Sequence, residues 1–149
     1  MTRLFTGAGK LLVLSLALHD AAFAAAWPSR PVSTYSIVAR DTETGELGVA
    51  VQSHWFSVGS IVSWAAPGVG AVATQSFVDP AYGPLGLELM ASGKSAEQTL
   101  ASLIAGDEHR NVRQVAMADA NGGIAVHTGE QAIVEACDRK GEAFSVQAN

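Results

Sequence analysis

Short runs of small residues, separated by turn sequences, constrain the fold of this chain more than any other feature. Residues 34–40 (TYSIVAR) and 47–53 (LGVAVQS) flank the link DTETGE, whose Asp and Gly are typical of a hairpin loop. Residues 60–65 and 70–75 flank a second turn, APGV. Because Ala, Gly and Val occupy both faces of these runs, we predict strands that are covered on both sides.

Helical signals follow the second hairpin. Pro84 suits the first turn of a helix that ends at Gly93. Ser95 and Gln98 form a capping box for a second helix, which Gly106 terminates. Further strands are predicted over residues 112–118, 124–128 and 144–147, with a turn over residues 119–123. This order of hairpins, a helical pair and an antiparallel meander indicates an α+β fold whose helices cover one sheet.

Composition excludes several classes of protein. A chain of 149 residues with 48% hydrophobic and 15% charged residues fits one globular domain rather than a disordered protein. Its net charge of -5 leaves no basic stripe for nucleic acid. A single Cys rules out an internal disulfide. Because the sequence contains neither paired metal ligands at standard spacing nor a phosphate-binding motif, we predict no cofactor and no metal.

The first 26 residues predict a signal peptide. Arg3 and Lys10 precede an apolar run over residues 11–18, and small residues around Ala24 form a cleavage site. The run is too short for a stable membrane span, which needs about 20 apolar residues. We therefore expect a periplasmic or secreted protein. A start codon assigned too far upstream, or a buried N-terminal helix, remains the alternative.

Two further groups receive a structural interpretation. Cys137 lies in a polar segment, residues 135–140, which we predict to be a loop. Its basic neighbours favour a thiolate, but nothing in the sequence places a base beside it, so we interpret it as incidental. Trp55, Phe56 and Trp64 are able to line a pocket, although aromatic residues at strand ends usually belong to the core.

Thr34 opens the first predicted strand and is a candidate nucleophile. A Thr at a chain N-terminus attacks carbonyl groups because its own α-amine, with a pKa near ~8, serves as the base. This chemistry requires removal of everything that precedes Thr34. The alternative is an ordinary β-branched strand residue.

Several segments along the chain carry a family resemblance: TYSIVARD (34–41), TGELGVAV (44–51), GAVATQ (70–75), YGP (82–84), RQ (113–114), HTG (127–129) and GEAFSVQ (141–147). Together they resemble the DUF1028 family, which has no known function and is placed in the superfamily of N-terminal-nucleophile (Ntn) hydrolases. The resemblance covers residues 34–149 and implies an αββα sandwich. It also implies that residues 27–33 form a spacer and that the domain is incomplete at its C-terminus, because family members continue further.

The resemblance suggests a set of catalytic roles. Thr34 is the nucleophile and base, Ser53 and His54 give polar support, Gln75 and Asn149 are oxyanion donors, and His127 is a proton carrier. The Lys and Asp of proteasome-type enzymes have no counterpart, since Ser53 or Gln52 stands where the Asp would fall.

Two functional hypotheses stay open. The first is an amide hydrolase that acts on a small-molecule or peptide substrate. The second is a non-catalytic exported protein that binds a ligand or a cell-envelope partner, as in fimbrial assembly. Homo-oligomers are compatible with both, and fold alone does not decide between them.

Overall fold

A computed structural model describes residues 34–149, and the predicted signal peptide and spacer lie outside the described residues. The strands are β1 (Thr34–Arg40), β2 (Leu47–Ser53), β3 (Ser63–Ala66), β4 (Gly70–Ser76), β5 (Arg113–Asp119), β6 (Ile124–Thr128), β7 (Cys137–Lys140) and β8 (Phe144–Ala148). The helices are α1 (Gly59–Val62), α2 (Tyr82–Ala91) and α3 (Ala96–Gly106), with a 3-10 turn at Arg110–Val112. Two antiparallel sheets with few helices confirm the predicted α+β class.

The first sheet has the strand order β2-β1-β8-β7. Strand β1 alternates between its two faces, so that Ser36 and Val38 are buried while Tyr35 and Ile37 are exposed. The outward face carries Tyr35, Ile37, Phe144 and Val146 and holds a groove of about 600 Å³. Within residues 34–149 no helix packs against this face, so the prediction that both hairpins are covered on both sides is wrong for β1 and β2.

The second sheet has the order β3-β4-β5-β6, and both longer helices pack against one of its faces. Val72, Val115 and Met117 point from the strands toward this helical layer, where Tyr82 and Leu100 join them in one apolar cluster. Helix α2 approaches closely because Gly83 lies on the Trp64 ring, in a position where a Cβ atom would overlap it. The prediction that the helices cover one sheet is confirmed.

The two sheets pack face to face through small side chains. Val38 of the first sheet meets Ala71 and Ala73 of β4 and Ala116 and Ala118 of β5. All residues of β4 except the last are buried, and β5 is buried after its first residue. Small residues on both faces of these two strands therefore indicated correctly that they lie between layers.

Local predictions succeeded and failed for identifiable reasons. The capping box of α3 is present, since Ser95 Oγ accepts from Gln98 N and Gln98 Oε1 accepts from Ser95 N. The strand predicted over residues 60–65 begins only at Ser63, because the preceding four residues form α1. The loop predicted around Cys137 is wrong, because Cys137–Lys140 is an edge strand exposed on both faces. A strand of this kind carries no hydrophobic periodicity.

Candidate functional site

Thr34 and Ser53 are opposite each other at the ends of the first hairpin. The register of β1 and β2 pairs the two residues and places Thr34 Oγ1 2.9 Å from Ser53 Oγ. Thr34 is 7% exposed. Ser53 Oγ also accepts a hydrogen bond from the Trp55 backbone N–H, at 3.1 Å. Two hydroxyl groups are thus held together by the hairpin and by the turn that follows it.

The backbone of Thr34 is paired with Asn149. Thr34 N donates to Asn149 O at 3.0 Å, and Asn149 N donates to Thr34 O at 3.1 Å. This reciprocal pair extends the ladder between β1 and β8, which begins at Tyr35 and Ala148. The ladder therefore brings Asn149 beside Thr34, although 115 positions of sequence separate the two residues.

Three amide side chains, of the buried Gln75 and Gln114 and the half-buried Asn149, meet behind this hydroxyl pair. Gln114 Oε1 accepts from Gln75 Nε2 at 2.7 Å and from Asn149 Nδ2 at 3.1 Å. Gln114 Nε2 in turn lies within 3.2 Å of Thr128 Oγ1 and of the backbone oxygens of Cys137 and Ala148. Because its partners belong to both sheets, Gln114 joins the two sheets at the site.

The sequence alone assigns no role to Gln114 beyond its place in a segment that resembles the family. The alternation of side chains along β5 is the signal that identifies Gln114 as buried. Gln114 lies on the same side of β5 as Ala116 and Ala118, which face the first sheet. A Gln with 0% exposure at such a position needs polar partners, because an unpaired buried amide is costly.

Some buried polar atoms near Thr34 have no hydrogen-bond partner among the described residues. They include Gln75 Oε1, Asn149 Oδ1 and Ser76 Oγ. The Gln75 amide has both N–H groups engaged, the second with Thr34 O at 3.4 Å, whereas Asn149 uses one of its two. Of the two predicted oxyanion donors, Asn149 therefore keeps a side-chain N–H available.

An open cleft of about 800 Å³ begins at the hydroxyl pair. Its lining residues are Thr34, Ser53, Trp55, Phe56, Val58, Ile61, Val62, Gln75, Ser76, Phe77, Val78, Arg113 and Ile133. Trp55 is 64% exposed and Phe56 is 97% exposed, so the core interpretation of these two aromatics is wrong. Trp64 alone of the three packs against the core, beneath helix α2.

A polar cluster holds one wall of the cleft. Arg113 donates to Asp107 Oδ2 at 2.8 Å and to the backbone oxygen of Phe77 at 2.6 Å, and Asp79 lies 3.8 Å away. Tyr82 Oη donates to the same Asp107 oxygen at 2.9 Å. The Arg113 hydrogen bond lowers the pKa of Asp107 to about 2, while burial raises the pKa of Tyr82 well above its usual value.

The two predicted histidines are not part of the Thr34 cluster. The exposed ring of His54 lies against Trp55, with centroids 5.9 Å apart. His127 is on the helical side of the second sheet, where its Nε2 lies 2.8 Å from the Arg110 backbone oxygen. The structure thus brings together Thr34, Ser53, Gln75 and Asn149, and it places His127 on the opposite face of a sheet.

Among residues 34–149, no ionisable side chain is hydrogen-bonded to the Thr34 hydroxyl. Its hydrogen-bond partner is Ser53. Across the same residues, no group of three or more His, Cys, Asp or Glu side chains is arranged to hold a metal ion. Cys137 is exposed on β7. Nor does the described part contain a helix that is both long and apolar enough to cross a bilayer.

Comparisons with known proteins agree with this architecture. A family model, described as a family of unknown function (DUF1028), matches residues 34–149. The crystal structure of protein SPO2555 from Silicibacter pomeroyi, assigned to the same family model, is similar with a TM-score of 0.74 and 26% sequence identity. The similarity covers 78% of this chain and 52% of that one, so the chain spans about half the length of the solved structure. Comparison with curated proteins gave no match.

Proposed function

This chain belongs to the DUF1028 family, and we propose that it is an amide hydrolase in which Thr34, released as an N-terminal residue, is the nucleophile. The observation that carries the proposal is the position of Thr34. Its hydroxyl lies at the start of β1 and at the base of an apolar cleft, paired with Ser53 and backed by the amides of Gln75 and Asn149.

In the proposed reaction, Thr34 Oγ1 attacks the carbonyl carbon of the substrate amide while its proton passes to the Thr34 α-amine. The tetrahedral intermediate collapses, the C–N bond breaks, and the leaving amine takes the proton from the α-ammonium. Water then attacks the resulting ester, with the α-amine again as base, and releases the carboxylic acid. The Trp55 N–H holds Ser53 in place, so that the Ser53 hydroxyl orients the nucleophile.

The negative charge that develops on the carbonyl oxygen of the substrate needs a hydrogen-bond donor. Asn149 is suited to this role because its side chain keeps one N–H beyond the hydrogen bond to Gln114. Gln75 is less suited, since both of its N–H groups are engaged. Fixed donors of this type stabilise an oxyanion because they are oriented before the reaction begins.

The α-amine is the base in this scheme because Thr34 Oγ1 has no ionisable partner among the described residues. An α-amine with a pKa of about 8 is partly neutral at neutral pH, but a peptide nitrogen is no base. Processing ahead of Thr34 is therefore a requirement of the proposal. We further propose that residues 1–26 direct export and that residues 27–33 are a spacer, which processing then removes.

We also assign the fold to the Ntn-hydrolase-like αββα arrangement. The assignment is supported by the two face-to-face sheets and by the helices on the second sheet. A second helical layer would cover the outward face of the first sheet, where Tyr35, Ile37, Phe144 and Val146 are exposed.

A β-lactone tests the nucleophile without knowledge of the substrate, because its ring opens on a reactive hydroxyl and adds the whole mass of the reagent. The full chain is prepared with a protease site directly ahead of Thr34 and is treated with the β-lactone before and after cleavage. We expect an adduct on Thr34 only after cleavage, retained in Thr34→Ser and absent in Thr34→Ala. Equal labelling of uncleaved and cleaved chains, or labelling that survives Thr34→Ala, would disprove the role of Thr34.

A second candidate function is binding to a cell-envelope partner without catalysis. The apolar outward face of the first sheet favours it, because exposed apolar patches of this kind mark interaction surfaces. Under this hypothesis a pull-down from envelope extract retains a specific partner, which Val146→Asp on that face releases. An extract that leaves nothing specific on the wild-type protein removes the support for this function.

A further inference from the structure

We infer that the cleft above Thr34 binds an uncharged, apolar acyl group, so that the substrates are amides of aliphatic or aromatic carboxylic acids. The inference rests on the proposed function for the position of the scissile amide. It goes further by specifying the group that occupies the cleft, and this part can be tested by binding alone.

The first observation is the exposure of large apolar side chains around the cleft. Trp55, Phe56 and Phe77 are 64%, 97% and 58% exposed, and Ile61 is 36% exposed. Burying such side chains against a ligand is worth about 25 cal/mol per Å² of apolar surface. Their concentration beside the part-buried hydroxyl pair of Thr34 and Ser53, rather than at scattered positions, indicates a binding surface.

The second observation concerns charge. Of the described residues that line the cleft, Arg113 is the ionisable one. Its guanidinium is already bound to Asp107 and to the Phe77 backbone oxygen, with Asp79 nearby, and its side chain is 12% exposed. Arg113 therefore anchors the Phe77 wall and is not available to an anionic ligand. A charged acyl group would lose hydration in the cleft without gaining a partner.

The third observation is a set of buried polar atoms at the base of the cleft. Gln75 is 2% exposed and its Oε1 has no partner among the described residues, and the same holds for the buried Ser76 Oγ. Ser76 also has a positive φ of 69°, a conformation that is strained for a residue with a side chain. An apolar cleft with polar atoms at its base fits an amide with an apolar tail.

The test measures binding of butanamide, hexanamide and octanamide to the unprocessed full chain by calorimetry. In this form the Thr34 nitrogen is a peptide nitrogen, so the result does not depend on catalysis. We expect affinity to rise two- to about fourfold for each added methylene, and octanamide to bind more tightly than octanoate.

Phe56→Ser and Phe144→Ser form a matched pair of variants. Phe56 lines the cleft, whereas Phe144 is exposed on β8, on the outward face of the first sheet. We expect Phe56→Ser to weaken octanamide binding about tenfold and to reduce the chain-length dependence. Phe144→Ser is expected to leave both unchanged.

Three results would overturn the inference: no binding of any of the amides, affinity that does not depend on chain length, or equal effects of the two variants. Tighter binding of octanoate would show that a charge selects the ligand and would also overturn it. Failure of the proposed function is distinguishable, because it appears as absence of β-lactone labelling at Thr34 in the cleaved chain, whatever the amides do.

Discussion

Replacing Gln114 by Leu is expected to destabilise the protein strongly. Gln114 is fully buried and accepts hydrogen bonds from Gln75 and Asn149 at 2.7 and 3.1 Å. In the variant, Asn149 Nδ2 loses its partner and Gln75 Nε2 keeps only the 3.4 Å contact with Thr34 O. Three acceptors in both sheets also lose a donor. The expected damage is therefore to the connection between the sheets.

The size of the effect follows from these contacts. A buried polar group left without a partner costs about 1–3 kcal/mol, and two amides are affected most, so we expect a loss of about 2–6 kcal/mol. Removing both partners of the shortest bond, in the double variant Gln114→Leu with Gln75→Leu, is expected to cost less than the sum of the single variants. The reason is that the double variant leaves fewer unpaired groups.

Urea unfolding measures these differences, provided that its slope stays constant among the variants. Gln52→Leu is the matched control, because Gln52 is exposed on β2 and its replacement should stay within about 0.5 kcal/mol of the wild type. Our account of the amide cluster would be refuted if Gln114→Leu and Gln52→Leu had the same free energy of unfolding. Strictly additive losses in the double variant would also contradict it.

Three further predictions concern stability. The low pKa of Asp107, about 2, predicts that the free energy of unfolding is highest above pH 4 and falls as the pH decreases toward 2. Asp107→Asn is expected to flatten this pH dependence in thermal melts. An unchanged pH dependence in the variant would contradict the prediction. Gly83→Ala is expected to cost about 1–3 kcal/mol in urea unfolding because its Cβ would overlap Trp64, whereas Gly106→Ala, which meets open space, should not destabilise the protein. Ser95→Ala is expected to cost about 1 kcal/mol in the same measurement through loss of the N-cap of α3, and no change would show that the cap is dispensable.

The predictable part of the fold was encoded locally. Residues 34–40 and 47–53 form strands with the predicted bounds, because the turn residues between them mark the end of the first strand and the start of the second. The capping box likewise defines the start of α3. Strand β7 was missed because its four exposed residues show no alternation. It forms a hairpin with β8 through backbone hydrogen bonds, and such bonds leave no pattern in the side chains.

The candidate site was predictable only in part. Thr34 and Ser53 follow from the hairpin register, but the approach of Asn149 depends on the pairing of β1 with β8. Gln114 meets Gln75 through the register of β4 and β5, but its contact with Asn149 depends on the packing of one sheet on the other, which no local signal specifies. Trp55 and Phe56 were assigned to the core on residue type, whereas their position after β2 places them at the cleft mouth.

The central claim is that Thr34 becomes the N-terminal residue and thereby gains its base. N-terminal sequencing of the mature protein, recovered from the cells that produce it naturally, tests this claim most directly. Our account predicts a mature chain that begins with Thr34, followed by Tyr35 and Ser36. A mature chain that begins at Ala25 or Trp27 would leave Thr34 internal and would contradict the proposed mechanism.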